Sequence, residues 1–437
     1  MLAEQREEHA RGTQTTHIDR RHTMRMLKLP LVGLAAFALC LATSARAAVE
    51  TGNKGTLTLK GFVSATVFAQ DSIWAFGDGQ NAEFPSPTRD KGDDPWFLDG
   101  DVRNTRFNLT YAGPDTEGLP KVGAALEVDF FGGSFSGGFQ NAQPVPRLRL
   151  AYADLAIGKS TLRIGQAWSP WFGNFPLSLS HIAFPLGYGS AGNGGWRFPG
   201  VFLITPLTAK DAAMNATLTV ALMRNTWPSV ATTAFAPNQG SASIVPQIEA
   251  RLDLSGKAGS SGWSAYAVGH YDRKDLSGRG EAPAGTDDSL DGYGGEVGAK
   301  LTLGQFMVQG NAYWAQAMAQ QFANLTQFGD IAGFGGWAQV GYDFTKNWGV
   351  FAFYGFDDPD DGDVVAALPP RAADPATGVA ARTPLLKNQQ AAAMLRYKAG
   401  PYQLGLEYLW DLLDFEDTLG ESDLKANQIA LSVNYAF

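Results

Sequence analysis

Arginines recur at alternate positions of apolar segments in the first half of the chain, and their chemistry is the most specific that this sequence offers. A guanidinium stays charged near neutral pH and binds a carboxylate through two parallel hydrogen bonds. On one shared face, such side chains would form a basic wall that favours anions. Five arginines fall on neighbouring segments: Arg106, Arg147, Arg149, Arg163 and Arg197.

Two carboxylates on the intervening segment leave a second interpretation open. Glu127 and Asp129 alternate with apolar residues, so we expect them on the same face as the arginines. They could pair with the arginines and brace the wall without contacting any solute. Because two acids cannot neutralise five arginines, we expect some positive field to remain.

Catalytic and metal chemistry has few candidates. The only cysteine, Cys40, lies in an apolar stretch near the N-terminus, and beyond that stretch only His181 and His270 remain as imidazoles. We therefore predict no catalytic residues, no metal site and no cofactor. An outer-membrane enzyme of the lipase or protease type stays as an alternative, as does a structural or adhesive barrel without transport.

Residues 24–47 have the features of a secretory signal peptide. Arg25 and Lys28 precede an apolar core, and Ala45 and Ala47 form a cleavage motif. We predict one domain from 48–437 after cleavage. The polar residues 1–23 are either a misassigned start or a real extension.

Composition and periodicity predict a barrel of strands. Long apolar helical runs are absent beyond the leader, which excludes a helical membrane bundle, and the net charge of −9 argues against nucleic-acid binding. Apolar and polar residues alternate in segments of about ten residues, the period of a strand with one apolar face. We count sixteen: 56–70, 101–112, 121–131, 146–157, 161–168, 197–206, 215–227, 243–254, 262–273, 291–303, 305–317, 334–345, 348–356, 388–399, 401–413 and 425–437.

The connections between these segments alternate between long and short, as in transmembrane barrels with tight turns at one rim. We predict an all-β fold, a 16-stranded antiparallel transmembrane β-barrel with a long third loop folded into the lumen. A soluble all-β fold, such as a β-helix or propeller, is the alternative. Acidic clusters in other long loops, for example 357–363, suggest solvated loops or weak divalent-cation binding.

The third loop, residues 169–196, contains no Asp, Glu, Lys or Arg. A surface loop of this length without charge would be unusual in water, so we expect it inside the barrel, opposite the basic wall. Packing as a plug or at a trimer contact is the alternative. The candidate constriction residues are Trp171, Phe172, Phe175, His181 and Tyr188.

The terminal Phe437, after alternating apolar residues, resembles the assembly signal of bacterial outer-membrane proteins. The stretch 103–199 resembles the DcaP-like porin family, a group of trimeric Gram-negative porins. The matching pieces are 106–109, 127–133, 147–152, 165–169 and 197–199. Some relatives carry a coiled coil before the barrel, whereas the predicted mature chain starts about eight residues before its first strand.

This resemblance implies a channel in the bacterial outer membrane for small organic anions, dicarboxylates in particular. It also implies a homotrimer, which barrel walls alone would have to hold together. The expected partners are lipopolysaccharide, outer-membrane lipid and the barrel assembly machinery, and no nucleic acid.

Overall fold

The computed structural model describes residues 47–52, 54–87, 96–133, 144–227, 239–276, 288–373 and 381–437. The predicted leader, residues 24–47, lies outside this part of the chain except for Ala47. No helix in the described ranges has the length and apolar character needed to cross a bilayer. The described ranges contain two short α-helices, α1 (Gln239–Ala242) and α2 (Asp361–Ala367).

Within the part of the chain that the structure describes, eighteen strand segments form one antiparallel sheet. They are β1 (Ala47–Glu50), β2 (Thr56–Gln70), β3 (Phe97–Asp101), β4 (Arg106–Ala112), β5 (Val122–Asp129), β6 (Arg147–Ile157), β7 (Ser160–Trp168), β8 (Arg197–Pro206), β9 (Met214–Met223), β10 (Gln247–Ala258), β11 (Ser261–Asp275), β12 (Ser289–Leu303), β13 (Phe306–Gln316), β14 (Ala332–Tyr342), β15 (Trp348–Pro359), β16 (Leu385–Ala399), β17 (Tyr402–Asp417) and β18 (Gly420–Ala436).

These segments make sixteen positions around the barrel. β3 and β4 pair with successive parts of the same edge of β2 and share one position. β1 pairs with the first residues of β2, beyond the end of β18. β18 pairs with β2 from Gln428 opposite Gln70 to Ala436 opposite Phe62, which closes the sheet. The predicted sixteen-stranded antiparallel barrel is confirmed.

The two faces of the sheet follow the predicted alternation at this seam. Leu431 and Val433 are 45% and 41% exposed on the outer face. Ser432, between them, is buried on the inner face, where its hydroxyl lies 2.7 Å from that of Thr66. An apolar outside and a polar inside are what a bilayer requires of a barrel.

In the described ranges, three connecting segments contact buried polar side chains of the barrel strands: 71–87, 169–196 and 317–331. Residues 169–196 are called the inner loop below. An apolar cluster joins two of these segments to the wall through Trp74, Leu186, Trp337, Phe353 and Leu409. Much of the interior beside β14–β17 is therefore packed protein.

The acidic stretch 357–363 does not form one solvated cluster, and this expectation is corrected. Asp357 is buried and accepts a hydrogen bond from the Tyr313 hydroxyl at 2.7 Å. Asp358 pairs with Lys387 at 2.8 Å. Asp360 caps α2 by accepting from the Asp363 backbone N–H at 3.0 Å. Asp357, Asp358 and Asp360 thus each have a structural partner.

Candidate functional site

A β-bulge in β6 positions the predicted basic wall. Leu150 lies opposite Glu127, whereas Leu148 lies opposite Val128, so Arg149 is an extra residue in this strand. A bulge of this kind bends the strand and re-aims its side chains. It allows Arg149 to reach both carboxylates of β5.

Asp129 and Glu127 each pair with arginines, as the bracing interpretation requires. Asp129 accepts from Arg147 at 2.9 Å and 2.6 Å and from Arg149 at 2.6 Å. Glu127 accepts from Arg149 at 2.7 Å. Arg106 lies farther away, with its Nε 3.9 Å from Glu127 Oε1.

Arg197 is buried among aromatic rings. Its guanidinium carbon lies 4.1 Å from the Trp196 ring centroid and 4.8 Å from that of Trp168. Its Nε and Nη1 have no hydrogen-bond partner among the described residues. Four arginines, counting Arg106, therefore gather around two carboxylates, which leaves an excess of two positive charges.

The route by which Arg197 reaches this cluster differs from the prediction. Strict alternation along this strand would place Arg197 inward only if Phe198, Phe202 and Ile204 faced outward. Both phenylalanines are buried against Ala221 and Met223, while Val201 and Leu203 are exposed. Arg197 lies in the arginine cluster because it is the first residue of β8 and directly follows the inner loop.

Arg163 lies apart from the other four arginines. It forms a two-point pair with Asp154, at 2.8 Å and 2.9 Å, and stacks on Tyr152 at 3.8 Å. Asp154 was not predicted to face inward, because strict alternation from Arg149 places it on the outer face. The bulge shifts the alternation by one residue, which turns Tyr152 and Asp154 to the face of Arg163.

The inner loop is held by polar side chains of the opposite wall. Glu407 accepts from the Ser178 hydroxyl at 2.6 Å and from the Leu179 and Ser180 backbone N–H groups at 2.8 Å and 2.7 Å. Gln339 bonds both backbone groups of Leu177, each at 2.8 Å. These contacts fix the loop against β14 and β17.

Glycine allows the loop to approach the wall closely. At Gly173 an added Cβ would lie 1.8 Å from the Tyr266 hydroxyl oxygen. That hydroxyl donates to Glu296. Any larger residue at Gly173 would displace either the loop or this buried pair.

A cavity of about 430 Å³ lies between the inner loop and the arginine cluster. The charged residues at its surface are Arg106, Glu127 and Arg149, and its apolar boundary includes Phe172 and Phe175. The wall of β2 and β18 contributes Phe62, Asn434 and Ala436. Basic and aromatic surfaces thus meet across one space.

The predicted site residues divide between this cavity and the packed interior. Arg106, Arg149, Glu127, Phe172, Phe175 and His181 line the cavity. Arg147, Arg197 and Asp129 lie behind it in the ion-pair and aromatic cluster. Trp171 and Tyr188 are buried in the packed interior, at 0% and 1% exposed, and they do not line the cavity.

The two histidines have different surroundings. The Nδ1 of His181 lies 2.9 Å from the Ser180 hydroxyl, its Nε2 has no partner among the described residues, and burial lowers its pKa to about 4. His270 lies between Glu249 and Asp272, at 2.8 Å and 2.9 Å. Neither histidine joins a hydroxyl to a carboxylate, the arrangement that a serine hydrolase requires.

No group of three or more His, Cys, Asp and Glu side chains in the described ranges is arranged to hold a metal ion. The polar groups around the inner loop are instead joined to one another. Glu249, for example, accepts from the Trp171 backbone N–H at 2.8 Å and from Gln321 at 2.7 Å.

No protein-family model matches the chain, and no curated protein sequence matches it. Among solved structures, the outer membrane channel DcaP of Acinetobacter baumannii aligns with a TM-score of 0.65 and 19% identity, covering 89% of this chain and 99% of that one. An anion-selective porin from Comamonas acidovorans aligns with a TM-score of 0.50 and 15% identity, covering 88% and 100%. The fold of this chain is therefore similar to that of the outer membrane channel DcaP.

Proposed function

We propose that this protein is an outer-membrane porin, a water-filled channel for the passive diffusion of small solutes. We further propose that it prefers small organic anions of the dicarboxylate type. The observation that carries this proposal is the cavity between an arginine cluster with excess positive charge and a loop without charged residues. A sixteen-stranded barrel is wide enough to leave such a path through its interior.

Charge at the cavity surface supports the anion preference. Arg106 and Arg149 face the cavity with Glu127 as the only acid among its lining residues. The other acids near the inner loop, such as Glu249 and Glu407, are almost fully buried and bonded to loop atoms. A fixed charge acts on a passing ion within about 8 Å at physiological salt, so the arginines dominate the field in this space.

Strand length supports a homotrimer. β4 and β5 contain 7 and 8 residues, whereas a tilted strand needs about 9 to 11 residues to cross a bilayer. A neighbouring copy of the chain would shield this low wall from lipid. The lipid-facing remainder would contact lipopolysaccharide, and Phe437 would present the chain to the assembly machinery.

The proposal is tested by measuring the reversal potential of the purified full-length protein in a planar bilayer under a tenfold KCl gradient. We expect a potential of the sign that chloride preference produces, and we expect added succinate to reduce the KCl current. Absence of conductance would favour a structural barrel or an enzyme. A cation-preferring potential would show that internal pairing cancels the positive charge.

A further inference from the structure

Three aromatic rings stack in sequence from the barrel wall into the cavity. Trp168, the last residue of β7, stacks on Phe172 with ring centroids 3.9 Å apart and planes 11° apart. Phe172 in turn stacks near Phe175 at 6.0 Å and 16°. All three residues line the cavity. Phe175 ends this series, because its only ring contact among the described residues is the one with Phe172.

Phe175 is the exposed end of this stack. It is 59% exposed, although the loop around it is largely buried. Its backbone carbonyl accepts a hydrogen bond from the Gln309 side chain at 3.1 Å. Two residues further on, the backbone of Leu177 is bonded to Gln339. The Asn174 side chain donates to the Ala299 carbonyl at 2.9 Å. The ring is thus presented to the cavity by a backbone tied to three strands.

A cation with spare hydrogen-bonding capacity faces the same cavity. Arg106 lies 3.9 Å from Glu127, beyond hydrogen-bond distance. Its Nε and Nη2 are buried and have no acceptor among the described residues, while its side chain as a whole keeps 17% of its surface exposed. Because Asp129 and Glu127 are engaged by Arg147 and Arg149, Arg106 is the arginine at this surface most available to an incoming carboxylate.

We propose that the cavity is a binding site for aromatic carboxylates, with the ring of the solute stacked on Phe175 and its carboxylate directed to Arg106. This inference rests on the proposed function as an anion channel and adds a selectivity that charge alone does not supply. Offset aromatic stacking contributes beyond simple burial of apolar area. An aliphatic anion of equal size and charge would bury comparable area without this term.

The test compares benzoate with cyclohexanecarboxylate as blockers of the KCl current through the full-length channel. The two anions carry the same charge and are similar in size, but only benzoate has an aromatic face. We expect benzoate to block at a concentration about threefold to tenfold lower. Equal block by the two anions in the wild-type channel would overturn the inference.

Two substitutions of Phe175 test whether the preference for benzoate arises at this ring. Phe175→Leu should bring the two blocking concentrations together, while Phe175→Tyr should retain the difference. Phe344→Leu is the matched control, because Phe344 is 44% exposed in the turn between β14 and β15 and does not line this cavity. A benzoate preference that survives in Phe175→Leu would place the aromatic site elsewhere and overturn the assignment.

The outcomes also separate this inference from the proposed function. An anion-preferring reversal potential with equal block by both carboxylates rejects the aromatic site and leaves the anion channel standing. A cation-preferring reversal potential rejects both.

Discussion

Arg147 holds Asp129 through two hydrogen bonds, Nε to Oδ1 at 2.9 Å and Nη2 to Oδ2 at 2.6 Å. Asp129 is completely buried and also accepts from Arg149. One carboxylate therefore serves two guanidinium groups, and this sharing keeps surplus positive charge beside the cavity. In the proposed channel, it would also couple anion selectivity to the stability of the wall.

Replacing Arg147 and Arg149 together with alanine should move the reversal potential toward cations and weaken block by a dicarboxylate. The shift should shrink at high salt, because screening shortens the reach of fixed charges. The double variant also leaves the buried Asp129 without an arginine partner, which should lower the free energy of unfolding by about 3 to 5 kcal/mol. Less assembled barrel is therefore expected. Adding Asp129→Asn should restore the yield while leaving the channel less anion-selective than wild type. An unchanged reversal potential in the assembled double variant would remove the arginines from the selectivity mechanism.

Arg106→Gln should alter selectivity without this loss of assembly. Arg106 faces the cavity and makes no short ion pair, so its removal strands no buried carboxylate. We expect a smaller shift toward cations than in the double variant, and a raised concentration of succinate for half block. Lys159→Gln, which removes the same charge from an exposed turn, is the control and should leave both measurements near wild type.

Acid should act on the inner loop through His181. Burial lowers the pKa of His181 to about 4, below the ordinary value of about 6.5. The released loop therefore binds a proton more readily than the packed loop. The free energy that holds the inner loop in its packed position should be fully present above about pH 6.5. It should fall by up to about 3 kcal/mol as the pH drops toward 4.

Conductance traces at pH 7.5 and pH 4.5 check this expectation. The wild-type channel should show loop-dependent current fluctuations only at the lower pH, and His181→Gln should show fewer of them there. If both proteins respond to acid identically, another group controls the loop.

The alternation of side chains was sufficient to predict the sixteen positions of the barrel, because each strand has one lipid-facing apolar side. The Arg149 bulge could not be predicted, because it shows only in the pairing of β5 with β6. It nevertheless reverses the face on which Tyr152 and Asp154 lie. The absence of charge in residues 169–196 correctly suggested packing against other protein. It could not distinguish Phe175, exposed to the cavity, from Trp171, buried on Glu249, because that choice depends on hydrogen bonds to distant strands.

Deleting Phe437 should lower the amount of assembled protein while leaving the pore properties of assembled molecules unchanged. Phe437 lies at the closing seam, where its backbone N–H donates to the Gly61 carbonyl at 3.0 Å and its carbonyl accepts from Gly61 at 3.2 Å. Its ring packs beside Phe107, with centroids 5.8 Å apart. Loss of these contacts weakens the end of the β18–β2 pairing but removes no charged side chain from the cavity.

The measurement for the deletion is the fraction of heat-modifiable barrel in membranes, followed by reversal potential and conductance of the purified survivors. Phe437→Tyr keeps the ring and both backbone bonds, so it should assemble near the wild-type level. Phe437→Ala keeps the backbone bonds and loses the ring, so its yield separates the two contributions. Wild-type levels of barrel in the deletion would show that neither the ring nor the seam bonds limit assembly. Altered selectivity in the survivors would instead mean that the seam shapes the pore.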